Sequence, residues 1–234
     1  MAIASNLSAI HDRIARAAQR AGRNASDIAL MAVSKTQPAT KIIEAYEAGQ
    51  RLVGENRVQE FSEKIGALAS LRDAEFHMIG HLQSNKAPKA AELFHAIDSL
   101  DSAKLAERLN AAAEKLGKTL DVLIEINVGG EAAKSGIAPD SSELERILTG
   151  APTWKHLRIR GLMTVPPFTE DPEGARSYFR QLRELRDRLA GRDLPSINLD
   201  VLSMGMSHDF EVAIEEGSTC VRVGTAIFGT RSKP

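Results

Sequence analysis

The sequence has a single cysteine, Cys220, so no disulfide can form within the chain. One isolated thiol is typical of proteins kept in a reducing compartment. Neither charge is in excess, because 30 basic residues face 31 acidic ones and the formal net charge is -1. The composition therefore argues against a disulfide-stabilised secreted fold, and it gives no electrostatic basis for binding nucleic acid or an anionic membrane.

Several kinds of segment are missing as well. No apolar run approaches the length needed to span a bilayer. The N-terminal stretch Met-Ala-Ile-Ala-Ser-Asn lacks the basic and apolar regions of a signal peptide. No segment is low in complexity, and no repeat of fixed period is found. We therefore expect a cytoplasmic protein that does not bind membranes.

What the chain does contain is an alternation of strand-like and helical segments. An amphipathic helix is predicted over residues 5–22, where Leu7 and Ile14 share an apolar stripe. Eight strand-like segments follow, separated by helical patterns. The predicted strands are residues 28–33, 51–56, 75–80, 94–98, 120–127, 156–164, 198–203 and 219–224.

Eight strands separated by helices are the pattern of a (β/α)8 TIM barrel, and 234 residues lie a little under the roughly 250 usual for that fold. A doubly wound sheet also alternates strand and helix. It is disfavoured because no Gly-x-Gly-x-x-Gly turn follows the first strand and because a helix precedes that strand. We therefore predict an α/β fold, a single barrel domain over residues 1–234 with an extra N-terminal helix.

A lysine follows the first predicted strand, in the sequence Ser34-Lys35-Thr36. Barrel enzymes collect their functional groups at the C-terminal ends of the strands. An amine at the mouth of an apolar sheet loses hydration, which lowers its pKa, and a neutral amine forms Schiff bases with aldehydes such as pyridoxal phosphate (PLP). Taken alone, Lys35 is also explained as a solvated lysine at a strand end.

Two loops rich in hydroxyl groups and glycine follow strands seven and eight, where barrels usually bind phosphate. Ser207 comes shortly before a predicted helix start, a position that favours anions. Gly224 and Thr225 offer close backbone approach and a hydroxyl, and Arg222 shares a strand face with Gly224. An arginine directed into a barrel needs an anionic or hydrogen-bonding partner. Ordinary turns also contain serine and glycine, but combined with Lys35 these loops match what PLP requires.

Five motifs extend this pattern along nearly the whole chain. They are Ala32-Val-Ser-Lys-Thr36, Gly54-Glu-Asn-Arg-Val-Gln-Glu60, His77-Met-Ile-Gly-His-Leu-Gln-Ser-Asn-Lys86, Leu202-Ser-Met-Gly-Met-Ser207 and Arg222-Val-Gly-Thr-Ala-Ile-Phe-Gly229. In this order they closely resemble the pyridoxal phosphate homeostasis protein family. The resemblance implies a barrel like the N-terminal domain of alanine racemase, with PLP held as a lysine aldimine. It also implies a role in intracellular PLP (vitamin B6) balance, without an established catalytic reaction.

The resemblance also implies roles for individual residues. Lys35 corresponds to the PLP lysine and Asn56 to a contact beside the ring. The residues of the implied phosphate cup are Ser207, Gly224 and Thr225, with Ser203 beside them. Arg222 serves either the phosphate or the pyridine nitrogen, and the sequence leaves both open. PLP-dependent apoenzymes are the implied exchange partners, and we expect a monomer or weak dimer.

Two other functions stay open at this point. One is a PLP-dependent, racemase-like enzyme acting on small amino acids. The other is a barrel enzyme whose lysine forms a Schiff base directly with a sugar-phosphate aldehyde. A racemase of this barrel type needs a second base, a tyrosine from a β-rich second domain. Here only Tyr46 and Tyr178 exist, both in predicted helices, and only the short tail after strand eight remains, so racemisation is disfavoured.

Three further features carry weaker signals. His77 and His81 are four residues apart but straddle a strand end, and a zinc site needs more ligands, so no metal is expected. The segment Gly129–Gly136 superficially resembles a phosphate loop but has the wrong glycine and lysine spacing, and its Lys134 is either a second amine at the rim or a solvated loop lysine. Cys220 is expected to be a core thiol.

Overall fold

Eight parallel strands close into a barrel in the computed structural model, which describes residues 2–131 and 134–229. The strands are β1 (Ala29–Val33), β2 (Leu52–Glu55), β3 (Glu75–Met78), β4 (Ala96–Leu100), β5 (Leu120–Glu125), β6 (Leu157–Met163), β7 (Ile197–Met206) and β8 (Cys220–Val223). The barrel closes where β1 pairs with β8, in the register Ala29 to Cys220 through Ala32 to Val223. This pairing confirms the predicted (β/α)8 barrel and excludes a doubly wound sheet, whose edge strands stay unpaired.

Helices surround this barrel. They are α1 (Ile3–Arg20), α2 (Ala39–Glu47), α3 (Val58–Lys64), α4 (Ala87–Leu93), α5 (Ala103–Lys115), α6 (Ser142–Gly150), α7 (Arg176–Ala190), α8 (Phe210–Glu215) and α9 (Thr225–Phe228). A serine just before the apolar positions Leu105 and Leu109 predicts an N-cap, and the Ser102 side chain does accept the Leu105 N–H at 3.2 Å. Such a cap stabilises a helix by about 1 kcal/mol.

The extra helix α1 packs on the outside of the barrel beside β1 and β8. Its buried side chains, Leu7 and Ile10 among them, join a cluster that includes Val221 and Val223 of β8. Burying each such side chain contributes about 1.5–3 kcal/mol. Asn6 of α1 also donates to the Ile227 carbonyl at 2.8 Å. The helix therefore anchors α9, the short helix that follows β8.

Several element boundaries differ from the predictions, and the fourth strand, for example, lies at Ala96–Leu100 instead of 94–98. The apolar spacing of Phe61, Ile65 and Leu68 favours one helix over residues 58–71, but α3 ends at Lys64 and a 3-10 turn follows at Ile65–Leu68. The short helix α9 was not predicted. The seventh strand continues to Met206 instead of ending at Ser203, with a register shift against β8 between those two residues. Gly205 permits this, because its φ is +94° and a Cβ there would lie 2.5 Å from the Ala213 Cβ of α8.

Candidate functional site

A cavity of about 760 Å3 opens at the C-terminal ends of the barrel strands. Six of the seven residues that the sequence singled out line it: Lys35, Asn56, Ser207, Arg222, Gly224 and Thr225. They follow or end strands β1, β2, β7 and β8, which are neighbours in the closed barrel. The fold therefore brings together an amine and two hydroxyl-rich loops that lie almost 200 residues apart in the chain.

The loops after β7 and β8 meet at the start of α9. The Ser207 hydroxyl oxygen accepts the Gly224 N–H at 3.2 Å and the Ala226 N–H at 3.5 Å. Ser207 is expected next to a helix start, and α8 does begin three residues later, but its hydroxyl accepts from the backbone at the start of α9. Backbone N–H groups, hydroxyls and a helix start thus converge on one side of the cavity, an arrangement that favours an anion.

Arg222 lies inside the barrel, with only 3% of its surface exposed. Its Nη1 donates to the Ser203 hydroxyl at 2.7 Å and its Nη2 to the Thr164 carbonyl at 2.7 Å. Burial lowers the pKa of the Arg222 guanidinium, against the attraction of acidic groups that include Glu125 and Asp209. Ser203 and the Thr164 carbonyl supply the hydrogen-bonding partners that an arginine inside a barrel needs.

Ser203 is fully buried and is not among the residues lining the cavity. The sequence placed it beside the phosphate cup, whereas its hydroxyl holds Arg222. Together with Thr164 it fixes the guanidinium in one orientation, because both Nη atoms have an acceptor.

Glu125 is a cavity residue that the sequence argument missed. It ends β5, which faces β1 across a closed eight-stranded barrel, and only 4% of its surface is exposed. Its Oε1 accepts the Ser135 hydroxyl at 2.7 Å, and within residues 2–131 and 134–229 no partner is found for its buried Oε2. Burial raises the pKa of the Glu125 carboxyl. The sequence does offer a signal for Glu125, which is an acidic residue within a largely apolar strand. Because the predicted strand ends at Asn127 and not at Glu125, the pattern pointed to Asn127 as the residue at the barrel mouth.

Lys134 lines the cavity at its rim, where its Nζ donates to the Pro166 carbonyl at 3.1 Å and pairs with Glu131. Its side chain is 35% exposed. This describes a partly solvated loop lysine with local partners. Tyr46 and Tyr178 lie in α2 and α7, and neither is among the residues lining the cavity.

The two histidines of the third motif separate. His81 lines the cavity and pairs with Asp101, whereas His77 pairs with Asp98 at the other end of the barrel. Across the described parts of the chain, no group of three His, Cys, Asp or Glu residues is arranged to hold a metal ion.

Cys220 is buried, which raises the pKa of its thiol to about 12. No helix among the described residues is long and apolar enough to cross a membrane.

Comparison with known proteins identifies the family. The family model "Alanine racemase, N-terminal domain" matches residues 5–232. The pyridoxal phosphate homeostasis protein of Aquifex aeolicus is 48% identical over 225 residues, which cover 96% of each chain. The protein of the same name from Escherichia coli K12 is 44% identical over 234 residues, covering 98% of this chain and 97% of the other.

Solved structures agree with the sequence comparison. PipY of Synechococcus elongatus, solved with PLP bound, has a TM-score of 0.84 and 38% identity, covering 97% of this chain and all of PipY. An alanine racemase of Clostridium difficile has a TM-score of 0.70 at 15% identity and is covered over 57% of its length, a likeness of fold alone. The resemblance found in the five motifs is confirmed, and this chain belongs to the pyridoxal phosphate homeostasis protein family, with the barrel of the alanine racemase N-terminal domain.

Proposed function

We propose that this chain binds PLP at the barrel mouth, covalently through Lys35, and that it serves PLP homeostasis without a dedicated catalytic reaction. The observation that carries the proposal is that Lys35, Ser207 and Gly224 line one cavity. PLP supplies an aldehyde, which condenses with a neutral amine to form a C=N bond with loss of water. The binding unit is the single barrel, residues 1–234, because every residue invoked belongs to it.

The donors around the cavity fit a phosphorylated pyridine aldehyde. Ser207, Thr225 and the backbone at Gly224 hold the phosphate, because hydroxyls and N–H groups at a helix start suit an anion. Asn56 lies on the Lys35 side of the cavity and contacts the ring. Arg222 provides a fixed cation for the phosphate or the pyridine nitrogen, and Ser203 acts through Arg222, since it lies outside the cavity lining.

The exchange partners follow from the same site. We propose that PLP passes between this cavity and PLP-dependent apoenzymes in the cytoplasm, and that the protein is a monomer or weak dimer. In the described part of the chain the exposed large apolar side chains are Leu116, Val165 and Phe168, too few for an obligate interface. Light scattering across a range of concentrations measures the oligomeric state, and a stable higher oligomer at low concentration contradicts this proposal.

Borohydride trapping tests the covalent proposal. We expect protein mixed with PLP to acquire a visible absorbance band, and reduction followed by peptide mass analysis to locate the pyridoxyl group on Lys35. A protein that stays colourless supports the alternative in which Lys35 reacts with a sugar phosphate. Steady turnover of any small amino acid approaching about 1 per second contradicts a carrier role.

A further inference from the structure

A partly buried charge cluster holds the loop that carries Lys35. Ser34 is fully buried, and its hydroxyl donates to Glu55 Oε1 at 2.7 Å. Thr36 donates its backbone N–H to Glu60 Oε1 at 2.6 Å. The residues on both sides of Lys35 are therefore hydrogen-bonded to carboxylates.

Lys64 connects these two carboxylates. Its Nζ lies 3.1 Å from Glu55 Oε1 and 2.5 Å from Glu60 Oε1, and it also donates to the Ser34 carbonyl at 3.4 Å. Only 11% of the Lys64 side chain is exposed. Glu60 and Lys64 lie one helical turn apart on α3, the spacing at which opposite charges meet. We call Ser34, Glu55, Glu60 and Lys64 the Lys64 cluster.

The backbone beside Lys35 depends on this cluster. Thr36 has a φ of +63°, in the left-handed region that β-branched residues rarely adopt. Such a conformation persists only where the surroundings impose it. The hydrogen bond from the Thr36 N–H to Glu60 is a constraint of that kind, and Lys64 holds Glu60 in place for it.

Glu55 makes the cluster sensitive to the loss of Lys64. It has no exposed surface, and among the described residues its Oε2 has no hydrogen-bond partner. Burial raises the pKa of the Glu55 carboxyl, against the opposing effects of Ser34 and Lys64. Without the Lys64 ammonium group, the buried Glu55 carboxylate would be unpaired, which favours its protonated, neutral form. The hydrogen bond from the Ser34 hydroxyl would then no longer be to a charged acceptor.

We propose that Lys64 is a positioning residue, which sets the conformation of the Ser34–Thr36 loop and thereby the reactivity of the Lys35 amine. Lys64 is not among the residues lining the cavity, so it acts through the loop and not by touching the ligand. The inference rests on the proposed function, because it gives Lys64 a role at that same site.

The test compares Lys64→Met with Lys64→Arg in the full chain mixed with PLP. Lys89→Met is the matched control, since Lys89 forms an exposed pair with Glu92 at 3.0 Å on α4. We expect Lys64→Met to slow the appearance of the absorbance band by about 10- to 100-fold, the effect of a small displacement of a reacting group. Lys64→Arg restores most of the rate because it keeps the cation, and Lys89→Met behaves as wild type.

The outcomes separate this inference from the proposed function. A Lys64→Met protein with a lower melting temperature but an unchanged rate of band formation shows a merely structural role and overturns the inference alone. If Lys64→Met does not fold, Glu60→Ala is measured in its place. This change removes the acceptor of the Thr36 N–H, and the Glu60 side chain is 23% exposed, so its loss disturbs the core less. A slowed rate there supports the inference, and an unchanged rate overturns it. A wild-type protein that forms no band overturns the proposed function, and this inference with it.

Discussion

The two ends of the barrel both contain ionisable side chains, but they use them differently. At the N-terminal end, a cavity of about 210 Å3 is lined by acid–base pairs. His77 lies 3.1 Å from Asp98, and Arg160 lies 3.4 Å from Asp121. At the C-terminal end the cavity is several times larger. There Glu125 keeps a buried oxygen for which the described residues offer no partner.

This difference separates stability from binding. The two ion pairs beside the smaller cavity contribute to the stability of the barrel, although Arg160 Nε is also buried there without a partner among the described residues. What disfavours a ligand at that end is size, since about 210 Å3 lies below the roughly 300–1,000 Å3 of ligand pockets. Polar groups directed into a large cavity are available to a ligand, and barrels place their functional groups at this end. The four predictions below test that division, from the largest expected effect to the smallest.

Replacement of Lys35 by alanine removes the only amine that the proposal uses for covalent attachment. We expect Lys35→Ala to lose the visible absorbance band on mixing with PLP, measured by spectrophotometry. Lys41→Ala is the control, since Lys41 is 43% exposed on α2 and pairs with Glu44. A full band in Lys35→Ala would contradict the assignment of Lys35.

Replacement of Arg222 by methionine removes two charge-assisted hydrogen bonds, to Ser203 and to the Thr164 carbonyl. Loss of these two bonds lowers the stability of the fold. Because the proposal also gives the Arg222 cation a contact with PLP, and one charge-assisted hydrogen bond contributes about 1.5–3 kcal/mol, we expect PLP affinity to fall roughly 10- to 100-fold. Equilibrium titration measures the affinity, and chemical unfolding measures the accompanying loss of stability. Arg158→Met, at a side chain 61% exposed, should change neither.

Removal of the Ser207 hydroxyl withdraws the acceptor shared by the Gly224 and Ala226 N–H groups. A neutral hydrogen bond contributes about 0.5–1.5 kcal/mol, so we expect Ser207→Ala to weaken PLP binding roughly 2- to 10-fold. Competition by inorganic phosphate is the informative measurement. If phosphate competes equally well with wild type and variant, Ser207 does not contact the phosphate group.

The His77–Asp98 pair predicts a pH effect on stability alone. Burial by itself would lower the pKa of His77, but the charge and hydrogen bond of Asp98 raise it overall. The folded protein then holds this proton more tightly than the unfolded chain does. The resulting stability is fully present below pH ~6.5, the usual histidine value, and is lost as the pH rises through the raised pKa.

Unfolding by denaturant at several pH values measures this effect. We expect His77→Gln to flatten the decline of the free energy of unfolding above pH ~6.5 while leaving PLP affinity unchanged. His11→Gln, at an exposed position of α1, is the control. A large loss of PLP affinity in His77→Gln would break the division between the two ends.

Much of the barrel was predictable because its strands are apolar runs bounded by turn residues. The start of α5 was predictable as well, since Ser102 caps it locally. Errors arose where contacts distant in sequence set the boundary. The seventh strand runs on to Met206 because Gly205 allows α8 to approach it, and α9 forms where α1 and Ser207 hold it.

The site divides in the same way. Lys35, Ser207 and Gly224 were predictable because each follows or ends a strand that the pattern identifies. Glu125 was missed, since the strand pattern gives no measure of whether a carboxyl oxygen inside a barrel has a partner. Lys64 carries no signal in the sequence beyond a lysine on a helix.

The sequence by itself determined the order of strands and helices, the family, and which residue types reach the barrel mouth, because these depend on local periodicity and on motifs. The tertiary structure alone decided how those residues act together. It hydrogen-bonded Arg222 to Ser203, set Glu125 across the barrel from β1, and linked Glu55 and Glu60 through one ammonium group. The physical reason is that hydrogen bonding and burial depend on distances between segments, which become fixed only when the barrel closes.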